Sequence, residues 1–159
     1  MNRYGLKFHH LGLAVKSSEA AFRYLEDLGY RPGSACYDPL QKVHLAMRHH
    51  DHMPDVEVIW PGSEVSPIDR MLKRNDGMIY HLCYTSDDVE RSVVALTEAG
   101  LEVLALGSAQ PAVLFDGSEV SFYSITGVGI IEIIAEGARA HRGVAQRHVS
   151  RQGAESILE

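Results

Sequence analysis

Four ionisable residues stand inside runs otherwise rich in Val, Ile and Leu. They are His10 in Phe8-His9-His10-Leu11-Gly12-Leu13-Ala14-Val15, Glu57 in Val56-Glu57-Val58-Ile59-Trp60, His81 in Ile79-Tyr80-His81-Leu82-Cys83-Tyr84, and Glu132 in Ile130-Ile131-Glu132-Ile133-Ile134. An ionised carboxylate taken out of water costs several kcal/mol, so each Glu in such a run needs a cation, a proton or a way out to solvent. Taken singly, each residue has a plain explanation: a strand Glu faces water or meets an Arg, and a strand His is hydrogen-bonded in a core. Duplication argues against four coincidences. His10 precedes the helix-closing Gly29 by 19 residues, and His81 precedes Gly100 by the same 19. Each half then ends in a strand carrying one Glu, 47 residues after its His in the first half and 51 in the second. Two neutral imidazoles and two carboxylates form a mixed nitrogen and oxygen donor set that suits a divalent ion, whose charge the carboxylates balance. A repeat that carries its polar residues with it predicts a metal site shared by two halves.

The elements that must position these residues follow from periodicity and punctuation. Residues 8–15 read as a strand and 17–28 as a helix, with Ser17 as cap and Gly29 as stop. Strands are expected at 30–37, 42–48 and 56–60, with the polar stretch 49–55 as a hairpin loop. Ser66-Pro67-Ile68-Asp69 has a cap, a Pro at the first helical position and an acid three residues after the cap, which predicts a short linker helix. The second half repeats the order: a strand at 78–85, a helix at 88–99 opened by Asp87, then strands near 101–106, 119–124 and 129–135. This divides the chain into a first β-α-β-β-β module (1–64), a linker helix (65–76), a second module (77–136) and a polar tail (137–159). The tail reads as a short surface helix or a poorly ordered segment and a candidate partner contact. Strand alternation places His10 on one face with the small Gly12 and Ala14, which leave room around it. It places His9 and Tyr80 on the opposite faces from the histidines that follow them, in packing roles.

Composition narrows the function. At 159 residues and 45% hydrophobic content the chain can bury a sizeable core, and a net charge of −6 lacks the basic footprint of a nucleic-acid binder. Residues 1–7 have no signal-peptide pattern, and no apolar run approaches the ~20 residues of a spanning helix, so a cytoplasmic protein without membrane contact is expected. Cys36 and Cys83 cannot make a disulfide framework, and neither is read as catalytic. His44, His49, His50, Asp51 and His52 are a rival metal cluster, but their spacing suits a solvated hairpin tip better. Tyr37, Met47, Phe115 and Tyr123 are candidate cavity-lining residues, and Asp116, in the turn Phe115-Asp116-Gly117, is a candidate substrate contact.

The runs around His10, Glu57-Val58-Ile59-Trp60-Pro61, Ser66-Pro67-Ile68, Tyr80-His81-Leu82-Cys83 and Gly129-Ile130-Ile131-Glu132-Ile133 resemble the vicinal oxygen chelate superfamily (glyoxalase, bleomycin resistance protein, dioxygenase). The chain is most similar to the methylmalonyl-CoA epimerases and next to glyoxalase I, over about 8–136. The resemblance implies an α+β fold in which two tandem β-α-β-β-β modules form a curved, half-open mixed β-barrel around one metal. His10, Glu57, His81 and Glu132 would be the ligands, leaving two positions for water or substrate oxygens. It also implies an isomerase or epimerase that moves a proton next to a carbonyl polarised by the ion, with Glu132 as the ligand that also transfers protons.

Zinc, cobalt, nickel, manganese and magnesium all tolerate this donor set. The implied substrate is a small molecule of the acyl-CoA or thiol-adduct type, and the implied assembly a homodimer. Gln41 matches a second catalytic position, but Leu40 stands where the epimerases have an acid, and Asp38 reaches that place only if the chain turns at Pro39. The loop 109–117 also departs from the epimerases' Gly-Ala-His-Gly-like loop, which predicts a different pocket. A glyoxalase I-like lyase would use the same four positions. A ring-cleaving dioxygenase would need no fourth ligand at Glu57, and a non-catalytic binder of the bleomycin-resistance kind would lack the ligand set.

Overall fold

A computed structural model of the chain describes residues 2–137, so the expected tail lies outside them from 138 onward. The first half runs β1 (Lys7–Val15), α1 (Ser18–Asp27), β2 (Arg31–Asp38), β3 (Val43–His49) and β4 (Asp55–Pro61). A one-turn helix α2 (Asp69–Leu72) leads to β5 (Gly77–Ser86), α3 (Val89–Glu98), β6 (Val103–Ala105), β7 (Gln110–Ala112), a tight helical turn at Val113–Phe115, β8 (Ser118–Ile125) and β9 (Gly129–Ala135). Among the described residues no helix is long and apolar enough to cross a membrane.

All the strands belong to one curved, unclosed mixed sheet, with order β2-β3-β4-β1-β5-β9-β8-β6 and β7 paired beside β8. The two halves meet where β1 and β5 pair antiparallel, while β1 runs parallel to β4 and β5 parallel to β9. The four strands carrying the ionisable residues are therefore the central four. Helices α1 and α3 cover one face of the sheet: Ala21 and Leu25 of α1 pack with Val15, Tyr30, Val56 and Val58, and Leu96 of α3 packs with Leu6, Ile125, Ile131 and Ile133. The other, concave face carries Ala14, Val43, Leu45 and Ile59 against Ile68 and Leu72, and Cys83 with Ala112, Val120 and Ile134.

Both helix stops are where expected, with Gly29 and Gly100 at left-handed φ of 94° and 84°. The caps differ. Asp88, not Asp87, caps α3 by accepting a hydrogen bond from the Arg91 amide at 3.0 Å, and Asp87 instead faces Lys7. In the linker the Asp69 carboxylate accepts from the Ser66 amide, but the Ser66 hydroxyl is buried without a partner among the described residues. Only half of a reciprocal capping box forms, and α2 starts two residues later than the cap pattern predicts. Strand β7 escaped the sequence reading because it is three residues long and carries Pro111.

Two irregularities in the β1/β5 ladder matter most for the site. Phe8 pairs with Tyr84 but His10 with Cys83, and Gly12 pairs with His81 but Leu13 with Ile79. His9 and Tyr80 are the extra residues of two symmetry-related bulges, each directly before a histidine. A bulge interrupts the period of two, so both residues turn toward the concave face along with the histidine that follows. The opposite-face packing roles expected for them are thereby corrected.

Candidate metal centre

Adjacent strands β4, β1, β5 and β9 present Glu57, His10, His81 and Glu132 to one point on the concave face. The register shows how. Gly12 lies opposite both His81 and Glu57, and its counterpart Cys83 lies opposite both His10 and Glu132. A side chain at Gly12 would collide with His81, because a Cβ there would lie 2.4 Å from Cε1 and 2.5 Å from Nε2 of the ring. The small residue makes room for His81, where sequence alternation had connected it with His10.

The donor atoms converge. His10 Nε2 is 3.6 Å from Glu57 Oε2, 3.5 Å from Glu132 Oε2 and 3.4 Å from His81 Nε2. His81 Nε2 is 3.6 Å from Glu57 Oε2 and 3.2 Å from Glu132 Oε2. One donor atom from each residue fits in a set with no separation above 4.8 Å. Ligands about 2.0–2.2 Å from a cation lie about 3.0 Å apart at right angles and about 3.4 Å apart at the tetrahedral angle. The observed spacings match that range, so the donor set fits a single divalent ion.

Burial sharpens the case. His10, Glu57, His81 and Glu132 expose 0, 3, 2 and 3% of their surface, and among the described residues no Lys or Arg forms an ion pair with either carboxylate. Glu132 Oε2 approaches His81 Nε2 without hydrogen-bond alignment and, like His81 Nδ1, has no hydrogen-bond partner among the described residues. Burial works against an imidazolium at His81, but the Glu132 carboxylate, with Glu57 beyond it, outweighs this and raises its pKa. Burial likewise works against the charge of Glu132, and His81 with His10 overcomes it, holding the carboxyl below its usual value.

Aromatic rings roof the centre symmetrically. Phe115 stacks on His10 at 5.6 Å, and Phe122 meets His81 edge-on at 5.6 Å. Phe122 and Tyr80, with Leu114, Phe115, Asp38 and Gln41, line a cavity of about 10 Å³ that opens onto His81, Glu57 and Glu132. Burial, then Glu132 and Glu57, raises the Tyr80 pKa. Burial raises the pKa of Cys83 strongly, which fits its reading as an inert core thiol.

Asp38 was conditional on a turn at Pro39, and the chain does turn there. Its Oδ1 accepts from the amides of Leu40 at 2.8 Å and Gln41 at 3.1 Å, Gln41 Nε2 lies 3.4 Å from Oδ2, and only 1% of the residue is exposed. Of the expected cavity-lining residues, Phe115 holds that position. Tyr123 instead packs on the α3 side, Tyr37 lies against His44 and over Gly62, and Met47 is buried opposite Glu57 across β3 and β4. Phe122 was missed in favour of its neighbour. Its pairing with Glu132 across β8 and β9 puts it on the inner face, and register of that kind is invisible in one strand's sequence.

The hairpin histidines are structural: His49 Nδ1 contacts Asp55 at 2.7 Å, His50 Nδ1 accepts two backbone amides, and His44 stacks on Trp60. Among the described residues they form no metal-competent group.

Residues 9–122 match the Glyoxalase/Bleomycin resistance protein/Dioxygenase superfamily. The chain belongs to that superfamily. It is 32% identical over 118 residues, 73% of this chain and 86% of the relative, to an ethylmalonyl-CoA/methylmalonyl-CoA epimerase of Cereibacter sphaeroides. Its fold is similar to the crystal structure of methylmalonyl-CoA epimerase from Mycobacterium tuberculosis, with TM-score 0.67, 20% identity, and 86% and 90% of the two chains covered. A variant of Streptomyces coelicolor methylmalonyl-CoA epimerase in complex with 2-nitronate-propionyl-CoA superposes with TM-score 0.64 at 18% identity, covering 83% and 98%. The expected α+β fold, a curved half-open mixed sheet, is the one observed.

Proposed function

We propose that the protein is a metal-dependent epimerase of 2-substituted acyl-CoA thioesters, and that His10, Glu57, His81 and Glu132 are its metal ligands. The observation that carries this reading is the convergence of two neutral-capable imidazoles and two buried carboxylates at ligand spacing, with no Lys or Arg paired to them among the described residues. The Cereibacter relative's activity supports the substrate class. A divalent ion in this set would supply a Lewis acid that acidifies the carbon next to a coordinated carbonyl.

The side chains account for the remaining tasks. Epimerisation requires a proton to leave one face of the carbon and another to arrive on the opposite face, so two acid–base groups must flank the reacting carbon. Glu132, from β9, and Asp38, from the end of β2, reach the same cavity from well-separated strands. We assign Glu132 the first proton transfer and Asp38 the second. Gln41, bonded to the Asp38 carboxylate, orients it, and Asp38 compensates for the missing acid at Leu40. Tyr80, Phe115 and Phe122 keep water from the carbanionic carbon.

A groove of about 330 Å³ adjoins the centre, sharing Gln41, Tyr80 and Phe122 with its cavity and lined further by Pro67 and Met71. That size suits a flexible thioester arm. Met71 also lines a second concavity together with Arg70, Lys73 and Arg74, cations with no ion-pair partner among the described residues. In a chain of net charge −6 these three are the natural dock for CoA phosphates. They favour an acyl-CoA over a glutathione adduct. The cavity at the centre, about 10 Å³, holds about one water, so the Val113–Phe115 turn has to yield when substrate enters.

The test is NMR of α-proton exchange in deuterated water with the metal-loaded protein. Exchange with methylmalonyl-CoA or ethylmalonyl-CoA and none with a glutathione hemithioacetal is expected. Exchange with the hemithioacetal alone would move the reading to a glyoxalase I-like lyase, and exchange with neither would remove the proton-transfer function.

A further inference from the structure

The two histidines of the centre are equivalent by the internal repeat but not by their surroundings. His81 Nδ1 is buried without a hydrogen-bond partner among the described residues. His10 Nδ1 lies 2.7 Å from Nδ1 of His9. That contact exists only because the bulge at His9 turns two consecutive side chains to the same face. The His9 ring is further held edge-on by Phe115 at 5.5 Å, the same ring that stacks on His10.

The chemistry of the contact follows from which nitrogen faces the carboxylates. His10 turns Nε2 toward Glu57, Glu132 and His81. An imidazole that gives its Nε2 lone pair to a cation carries its proton on Nδ1. The His10 Nδ1–H is then the donor, and His9 Nδ1 must be the acceptor, which leaves the His9 proton on Nε2. A separation of 2.7 Å is that of a hydrogen bond, shorter than two nitrogens bound to one ion can adopt. His9 is thus a partner of the ligand and not a fifth ligand.

We infer that His9 is a positioning residue that fixes His10 in its metal-binding tautomer and ring orientation, while His81 is left to settle on the ion without such support. The inference rests on the metal-centre reading and goes beyond it by making the two halves unequal. Partners of this kind are typically worth 10- to 100-fold in metal affinity. Part of the His9 ring is at the surface, so its replacement removes little core packing.

Three variants test this by Co²⁺ titration, reading the dissociation constant and the visible absorption of the bound ion. His9→Phe keeps the aromatic contact with Phe115 but offers no acceptor, and it should weaken Co²⁺ binding about 10- to 100-fold. His9→Asn places a carbonyl oxygen near the Nδ1 position and should recover most of the loss and restore the spectrum. His44→Phe, which keeps the stack on Trp60 outside the centre, should leave the constant unchanged. Thermal melting of the metal-free variants separates misfolding from a changed centre. Binding by His9→Phe as tight as by the parent, or a His9→Asn variant no better than His9→Phe, overturns the inference while leaving the centre intact. A parent protein that binds no Co²⁺ overturns both.

Discussion

Gly12 is the tightest point of the centre, and Gly12→Ala converts that tightness into a measurable loss. A Cβ at this position would lie 2.4–2.6 Å from three atoms of the His81 ring. Carbon and nitrogen in ordinary contact stand about 3.5 Å apart, so the ring must retreat by about 1 Å. It cannot do so freely, since Phe122 lies edge-on to it at 5.6 Å, Tyr80 at 5.2 Å and His10 at 5.5 Å. Ligand distances tolerate only about 0.2 Å, so a shift of that size removes His81 from the set. The expected loss in Co²⁺ affinity is at least about 100-fold, or about 2.8 kcal/mol. The metal-free protein should lose about 1–3 kcal/mol of stability from overpacking. The assay is a Co²⁺ titration of folded Gly12→Ala beside the parent, with melting curves of both metal-free forms. A variant that binds Co²⁺ within about threefold of the parent would refute the argument that Gly12 clears the place for His81.

Other outcomes follow from the same geometry. Because His81 has a raised pKa without metal, an entering ion must displace its proton, and apparent Co²⁺ affinity should begin to fall while pH is still above 6.5. The raised His81 pKa stabilises the metal-free chain below 6.5 and ceases to do so as pH rises through the folded value. The lowered Glu132 pKa stabilises it above 4.5 and ceases to do so as pH falls through the folded value. Metal-free protein should therefore melt highest in mild acid, and the rise in Tm on adding Co²⁺ should be larger at about pH 8 than at about pH 6. In α3, Asp88→Ala should cost about 1 kcal/mol in urea unfolding and Asp87→Ala no more than about 0.5, the reverse of what the sequence pattern suggested. Replacing Arg70, Lys73 and Arg74 together by Glu should raise KM for an acyl-CoA at least about tenfold. The same triple change should leave KM for the matching acyl-pantetheine, which lacks the nucleotide phosphates, within about twofold.

How much of this was legible in the sequence depends on what each feature obeys. The four candidate ligands could be read because they break a hydrophobic rule at duplicated positions, and burial in the fold confirms the anomaly. His9 and Tyr80 were misplaced because alternation assumes an unbroken period of two, and one inserted residue per strand reverses the face beyond it. Nothing in His9-His10-Leu11 marks a bulge. Tyr123 was chosen over Phe122 for a related reason: the face of β8 is fixed by its register against β9, a long-range fact. Asp38 was the opposite case. Its Pro39 turn signal was visible, and the Asx-type bonds to Leu40 and Gln41 carry the carboxylate into the cavity. The α3 cap differs by one residue because Asp87 and Asp88 are chemically alike in sequence, and only in the fold does Asp88 meet the Arg91 amide while Asp87 faces Lys7.

That His10, Glu57, His81 and Glu132 together hold one divalent ion is open to direct measurement. Elemental analysis tests it most directly, on protein loaded with an excess of Co²⁺ or Zn²⁺ and freed of loose metal by gel filtration, beside His81→Ala and Glu132→Ala variants treated identically. One ion per chain is expected in the parent, and a large loss in both variants. A parent that retains no metal, or variants that retain as much as the parent, would contradict it.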